Sequence, residues 1–404
     1  MRKLVLALVA VLSFNFTSCG AFNTDKQGVA ETVEVNTVHS TQLRGVWLSY
    51  FEIAEMCKGK TEEVYTGNVE EVVKNTAEAG LNTIFYQVRC FGDALYNSSV
   101  FPTSKYIVQN EGDAIEYDPF RIFIDIAKKY SISVHAWVNP FRVSYSEDFT
   151  LLSENNPARI FSEEGNSENQ LLVCEKGIYY NPASEESRTL IISGIRELFE
   201  NYDIDGIQFD DYFYPEEKTL NDVGMHKKYV ENGGALSLGE WRRENVNSFI
   251  SSVYSLVKSY GETKVFGVSP SAKLSFNDSV YADVRLWCKE SGYIDYIMPQ
   301  IYYGFENSFM PFEDVACEWA SLERCDEVRL YCGFAVYKCG EKDENAGEGV
   351  NEWKVNDNMI SEQYRCISEN NLFSGFSLFS YSYCFGWNKN DICTAEMGYL
   401  TSML

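Results

Sequence analysis

Residues 204–215 read I-D-G-I-Q-F-D-D-Y-F-Y-P, an apolar run that ends in two adjacent carboxylates and a cluster of rings. Carboxylates hold or move protons and sugar faces dock on aromatic rings, so the stretch has the equipment for carbohydrate chemistry. Successive β side chains face opposite ways. In a strand covered by helices the outward face must be apolar, which sends Ile207 and Phe209 outward and Gln208 with Asp210 inward. Asp210 then stands at the strand's C-terminal end, where barrel enzymes place their reacting groups. Asp211 is the first loop residue, orienting its neighbours or touching substrate. An isolated Asp-Asp pair could equally cap the next turn; Tyr212, Phe213 and Tyr214 beside it favour a site.

The elements that would carry this site recur along the chain. Apolar runs at 44–51, 83–89, 133–140, 206–213, 265–270, 296–304, 330–337 and 375–381 alternate with helix patterns near 68–79, 119–129, 184–200, 238–259, 279–291, 311–322 and 356–369. A short last helix is predicted after Cys393. Eight β-α units in order predict an α/β fold, a (β/α)8 TIM barrel. The long connections 90–117, 141–180 and 214–237 all leave C-terminal strand ends, and loops of that size are usually functional or disordered. No repeat or second-domain boundary interrupts the pattern, so residues 43–404 read as a single barrel domain with long loops at its C-terminal face.

Alternation applied to the other strands collects one inward set. Val46 and Leu48 facing out leave Gly45, Trp47 and Ser49 inward; Ile84, Tyr86 and Val88 leave Gln87 and Arg89; Val134, Ala136 and Val138 leave His135, Trp137 and Asn139. Gln300 and Tyr302 share a face away from Ile297 and Ile301. The barrel mouth is thus expected to hold Arg89, His135, Trp137, Asn139, Gln300 and Tyr302 around Asp210. Singly, each could be a satisfied buried polar group; their agreement on one face points to a site.

Composition narrows the partners. The chain of 404 residues is 45% hydrophobic, enough for a large core. A formal charge of −25, from 34 basic and 59 acidic residues, disfavours binding to nucleic acid and to anionic headgroups. The aromatic fraction of 15% suits a carbohydrate cleft, although most rings must be core. Arg2 and Lys3, the apolar residues 4–14 and Thr17-Ser18-Cys19 read as an export signal over residues 1–18, too short to be a comfortable transmembrane helix. It resembles a bacterial lipoprotein signal, which implies lipid on Cys19 and anchoring to the cell membrane; Phe16 stands where that motif usually has Leu, and a plain secretory signal is the alternative. The polar stretch 19–42 reads as a tether. The twelve cysteines are scattered singly, several within apolar strands, and read as packed free thiols. No C-x-x-C occurs and the three histidines are far apart, so no structural metal site is expected.

Several motifs together resemble the glycosyl-hydrolase-like family ten, once called DUF187. They are R-G-V-W (44–47), Q-V-R-x-x-G-D-A-L-Y (87–96), Y-D-P (117–119), H-A-W-V-N-P (135–140), D-G-I-Q-F-D-D-Y-F-Y-P (205–215), W-R-R-E-N-V-N (241–247), F-G-V-S-P (266–270) and Y-I-D-Y-I-M-P-Q-I-Y (293–302). The resemblance runs from Leu43 to about Tyr381 and implies a barrel distantly similar to α-amylase-like glycosidases, with the nucleophilic aspartate of strand four falling on Asp210. It implies an exported glycoside hydrolase acting on a cell-envelope or environmental glycan, peptidoglycan strands among the candidates, and no cofactor. Asp211 would support Asp210, and Arg89 would keep it ionised by its charge. Asn139 and Gln300 would bind hydroxyls, while Trp47, Trp137, Tyr212 and Tyr302 would stack on sugar; Gln87, Asp93 and His135 complete the expected substrate contacts. Tyr303 departs from the Trp usual after I-Y. A glycosidase needs one ionised and one protonated carboxyl group, yet the fifth strand ends in Ser269-Pro270. Glu306, Asp93, Glu52, Glu216 and Glu217 are the candidates for the partner acid, with no choice among them fixed by the residues; Glu306 is grouped with Asp210 and Asp211 as a catalytic candidate. A barrel that binds glycan without cleaving it is the alternative.

Overall fold

The computed structural model describes residues 42–165, 167–216 and 220–404, leaving aside the side chains of residues 167 and 168. The predicted export signal, the tether up to residue 41, Cys19 and Glu217 lie outside the described residues. Twelve strands follow in order: β1 (Leu43–Leu48), β2 (Thr83–Arg89), β3 (Ser133–Val138), β4 (Arg142–Ser144), β5 (Leu171–Cys174), β6 (Gly177–Tyr180), β7 (Gly206–Phe209), β8 (Val265–Val268), β9 (Tyr296–Ile297), β10 (Arg329–Leu330), β11 (Cys332–Phe334) and β12 (Gly375–Leu378).

Nine of them form one parallel sheet in the order β10-β9-β8-β7-β3-β2-β1-β12-β11. Because β10 and β11 are two stretches of one pass, separated by Tyr331, the two ends of that order meet and the sheet closes into eight staves. The Tyr331 N–H donates to Ile297 O at 2.9 Å and the Gly333 N–H to Pro299 O at 3.0 Å, carrying the ladder across the join. The (β/α)8 barrel expected from the sequence is thus the observed fold. Several strands are shorter than predicted: the run 296–304 is regular only at Tyr296–Ile297, and 206–213 ends at Phe209.

Most helices lie where they were expected, with recognisable starts; the one expected at 279–291 is instead two short helices, Leu274–Ser279 and Val284–Lys289. Asp118 accepts from the backbone of Phe120 and Arg121, and Pro119 opens the helix Pro119–Lys129. Ser237 and Glu240 form a capping box on Leu238–Ser259. The helix expected at 68–79 begins earlier, as Glu62–Glu78, because Thr61 accepts from the Val64 N–H.

Strand alternation separates two apolar clusters. Val46, Leu48, Ile84, Tyr86, Val134, Ala136, Ile207 and Phe209 join the shell between sheet and helices, where Phe209 stacks on Phe249 of Leu238–Ser259 at 5.7 Å. Trp47, Phe85, Trp137, Tyr296 and Met298 form a second cluster inside the barrel. Those large rings fit because small residues face them: a Cβ on Gly267 would stand 2.1 Å from the Tyr296 ring, and one on Gly45 would stand 2.7 Å from the Phe85 ring.

The connection 141–180 holds a three-stranded antiparallel sheet, β4-β6-β5, which alternation did not reveal. Its strands are short, and L-L-V-C has no polar alternation to mark it. Cys174 pairs with Gly177 across a two-residue turn. Gly177, at φ 113°, also lies so close to Ser144 O that a Cβ would come within 1.9 Å. The ten described cysteines other than Cys174 are free thiols.

Candidate active site

Asp210 follows β7 directly and its carboxylate is buried at the floor of a cleft of about 700 Å³ at the C-terminal ends of the strands. Three N–H groups converge on it. Asn139 donates its amide to Oδ2, Trp137 donates Nε1–H to the same oxygen at 3.3 Å, and the Tyr212 backbone N–H donates to Oδ1 at 3.3 Å. The Asn139 amide is oriented from behind: the Tyr50 N–H donates to Gln87 Oε1 at 2.8 Å, and Gln87 Nε2 donates to Asn139 Oδ1 at 2.7 Å. This relay spans β2 and β3 and presents the donor end of each amide toward Asp210, which favours its ionised form.

Asp211 also lines the cleft, against the side chain of Gln300, whose Nε2 donates to Ser269 O at 2.9 Å. Standing one residue past the strand, it is no longer held by β alternation to the outer face. Burial pushes both carboxyl pKa values up; Asp211 raises that of Asp210 further, and the Arg142 guanidinium opposes the rise in both. Two acids this close do not ionise independently, and the pair retains a proton well above the usual carboxylate range. Burial lifts Asp210 to about 8 and Asp211 to about 6, while the donors on both oxygens of Asp210 work the other way and favour its ionised form.

The charge partner is not the arginine expected. The register between β2 and β3 shifts between Gln87 and Arg89, and this irregularity breaks the alternation that placed Arg89 beside Gln87. Arg89 is buried outside the cleft, with Nη2 donating to Pro140 O at 2.9 Å and its guanidinium 4.4 Å from the Phe101 ring centre. Arg142 takes its place from β4. Its guanidinium lies 4.0 Å from the ring centre of Tyr212 and 4.6 Å from that of Tyr145. The sheet containing β4 was not foreseen, so Arg142 was missed; the signal available was its position two residues after His135–Pro140.

Other expected residues divide by location. Trp47, Gln87, Trp137, Asn139, Tyr212, Gln300 and Tyr302 all line the cleft. His135 does not: it faces inward one step deeper, bonded through Nδ1 to the Tyr296 hydroxyl at 3.0 Å, and burial pushes its pKa down. Asp93 occupies a separate hollow with Lys105 and Glu111, where burial raises its pKa to about 7. Glu306 is exposed on a turn after β9, its backbone N–H donating to Glu352 Oε2 at 3.0 Å, and it is not part of the cleft. It is where it is because β9 is only two residues long, so the chain turns away from the mouth. Glu216 pairs with Lys176 at 3.3 Å on the surface.

Among the described residues, the carboxylates of the cleft are Glu52, Glu55, Asp210 and Asp211. Glu55 is exposed at the rim. Glu52 is engaged on both oxygens: Oε2 accepts from the Ser49 N–H and hydroxyl at 2.6 and 2.7 Å, and Oε1 from the Ser380 hydroxyl and Ser382 N–H at 2.7 and 2.6 Å. It ties the end of β1 to the segment after β12. Glu52→Gln replaces one acceptor by a donor facing donors, and should cost about 2 kcal/mol of stability, read as a lower denaturant midpoint. Retained activity below that transition would show Glu52 holding the mouth together; full stability with lost activity would make it a reacting group.

The loop carrying Asp211 to Tyr214 is also secured. Arg242, in the W-R-R-E-N-V-N motif, donates Nε–H and Nη2–H to Asp222 at 2.8 and 2.5 Å, and Nη1–H to the Tyr281 hydroxyl at 2.8 Å. A buried bidentate pair of this kind fixes geometry more than it adds net stability.

Comparison with known proteins agrees with the fold and the motifs. Residues 42–348 match the family described as glycosyl hydrolase-like 10, leaving β12 beyond the matched region. The chain is 35% identical over 286 residues to glycosyl hydrolase DigH of Escherichia coli K12, covering 65% of this chain and 64% of that protein. It is 29% identical over 325 residues to glycosyl hydrolase YngK of Bacillus subtilis 168, covering 75% and 62%. The chain thus spans somewhat less than two thirds of these relatives. Among solved structures, the glycoside hydrolase domain of PgaB (BpsB) from Bordetella bronchiseptica superposes with a TM-score of 0.58 at 10% identity, covering 89% of this chain and 98% of that one. Alpha-L-fucosidase isoenzyme 2 from Paenibacillus thiaminolyticus gives 0.52 at 10% identity, covering 90% and 49%. These two share the barrel. With more than half of its length matched, the chain belongs to the glycosyl hydrolase-like 10 family.

Proposed function

We propose that the protein is an exported glycoside hydrolase in which Asp210 and Asp211 divide the two carboxyl roles. The observation that carries this reading is the unequal setting of two adjacent acids at one cleft floor: Asp210 accepts three N–H donors, whereas Asp211 stands against Gln300, and we infer from this that Asp211 carries the proton the pair retains. A glycosidic bond is cleaved when its leaving oxygen gains a proton as positive charge grows on the sugar ring. Asp211 donates that proton. Asp210 supplies the negative charge beside the developing cation, held in place by Asn139 and Trp137; water then adds to the ring carbon and gives up a proton that restores Asp211. Arg142 opposes the rise that burial imposes on Asp210 and so favours its ionised form. Trp47, Trp137, Tyr212 and Tyr302 offer faces for sugar rings, with Gln300 and Ser269 at their edge. The glycan is a cell-envelope or environmental one, with peptidoglycan strands as the first candidate.

The test is release of reducing ends from peptidoglycan strands and from common plant and host glycans by purified protein. Ser269 at the end of β8, where an amylase-like enzyme has an acid, favours a second reading, a barrel that binds glycan without cleaving it. Tight binding with no cleavage of any of these glycans would select it.

Membrane anchoring through Cys19 rests on the signal-like residues 1–18. Mass spectrometry of the mature N-terminus should find a lipid-modified Cys19, and Cys19→Ala should move the protein out of the membrane fraction. An unmodified N-terminus at any other residue would overturn the anchor.

A further inference from the structure

Four large rings are left exposed around the cleft: Phe51 at 63%, Tyr145 at 61%, Trp387 at 53% and Tyr212 at 41%. Trp387, like Tyr145, borders a second hollow as well as the cleft, and unlike Tyr145 it makes no ring contact among the described residues. Beyond it a second hollow of about 280 Å³ lies against the helix Glu62–Glu78, edged by Lys60, Val64, Asn68 and Glu71 and sharing Glu55 and Trp387 with the cleft. We propose that this hollow is a distal sugar subsite, continuous with the cleft, that takes units of the glycan away from the bond being cleaved, so that the enzyme acts within long strands. The proposal rests on the glycoside hydrolase reading above and adds the length of substrate it is built for.

Three observations support it. First, the hollow and the cleft share Trp387 and Glu55 at their edges, so a chain leaving the cleft in that direction meets the indole before it reaches the hollow. Second, the composition suits a sugar: an exposed indole and the half-exposed Val64 offer apolar faces, while Lys60, Asn68, Glu55 and Glu71 place donors and acceptors around them. Third, the ring is held out on a fixed turn. The Asn388 N–H donates to Ser382 O, and Asn388 Nδ2 to Ser382 Oγ, both at 3.1 Å, while the Ser382 N–H is bound by Glu52 at 2.6 Å. The indole itself has no ring contact or hydrogen bond among the described residues. An exposed aromatic held ready in this way loses little freedom when it is covered, which favours a binding role.

The experiment compares peptidoglycan glycan strands, stripped of peptide and sorted by length, as substrates. For the wild type kcat/KM should rise with strand length. Trp387→Ala should lower it ~3- to 10-fold more on long strands than on the shortest strand cleaved, as loss of one stacking face implies. Trp387→Phe should recover most of that difference, and Val64→Arg, which fills the hollow from an exposed position, should reproduce the alanine effect. Equal losses on short and long strands would overturn the distal subsite while leaving the hydrolase reading intact. A direct binding measurement separates the two further, using the Asp210→Asn variant and uncleaved long strands. Weaker binding on adding Trp387→Ala supports the subsite even where no strand is cleaved, and unchanged binding overturns it.

Discussion

Asp210→Asn should lower kcat on a cleaved glycan at least ~10³-fold, about 4 kcal/mol of barrier, with the fold and glycan affinity retained. The amide nearly matches the carboxylate in shape, so packing around Trp137 and Asn139 changes little, although its NH2 faces N–H donors and should cost about 2 kcal/mol of stability, as at Glu52. What is lost is the charge opposite the developing cation, a contribution needed far more in the transition state than in the bound substrate. The effect should therefore appear in kcat and not in KM. Equal cleavage by wild type and variant would remove Asp210 from the chemistry.

The second large effect is expected at Asp211 and depends on the leaving group. If Asp211 delivers the proton, Asp211→Asn should slow cleavage of a natural glycan by ~10²- to 10⁴-fold. An activated aryl glycoside of the same sugar, whose leaving oxygen needs no proton, should suffer far less. The pH profile gives an independent reading. In the wild type the rate falls on the acid side as Asp210 gains a proton and on the alkaline side as the pair loses its last one, and both limbs lie above the ordinary carboxylate range because burial raises both groups. Asp211→Asn should abolish the alkaline limb. Arg142→Gln removes a cation that favours ionised Asp210, so the acid limb should move to higher pH; Arg142→Lys keeps the charge and should leave it near its original position. An alkaline limb unchanged in Asp211→Asn would assign the proton elsewhere.

The sequence made the barrel and Asp210 legible for the same reason: strand alternation is a local rule that a closed barrel obeys at nearly every stave. Trp47, Gln87, Trp137, Asn139 and Asp210 could be assigned to one face with no knowledge of their neighbours. The misplacements occur where that rule stops applying. Arg89 follows a register shift, and its guanidinium is carried to Phe101 and Pro140. Glu306 lies beyond a strand that is regular for only two residues. His135 obeys the rule but sits too deep, since alternation gives the face and not the height. Arg142 and Trp387 come from an inserted sheet and a late turn, whose approach to the cleft depends on tertiary packing far from β7 in the chain. Asp211 shows the rule's other limit, because the first residue after a strand is free to join either side.

The closure of the sheet has a consequence for how the barrel assembles. β1 pairs with β12, and Arg44 Nη1 donates to Leu404 O, a contact between residues 360 apart in sequence. Pairing of β1 with β2 and of β2 with β3 closes much shorter loops, and long loop closure carries the larger entropic cost. The β1–β12 seam is therefore the last to form and the first to part. Glu52, which spans that seam at the mouth, then acts after the folding transition state: weakening it should hasten unfolding and leave the folding rate nearly unchanged. The lifetime of the folded barrel, and with it that of the cleft, is governed at the join between its first and last strands.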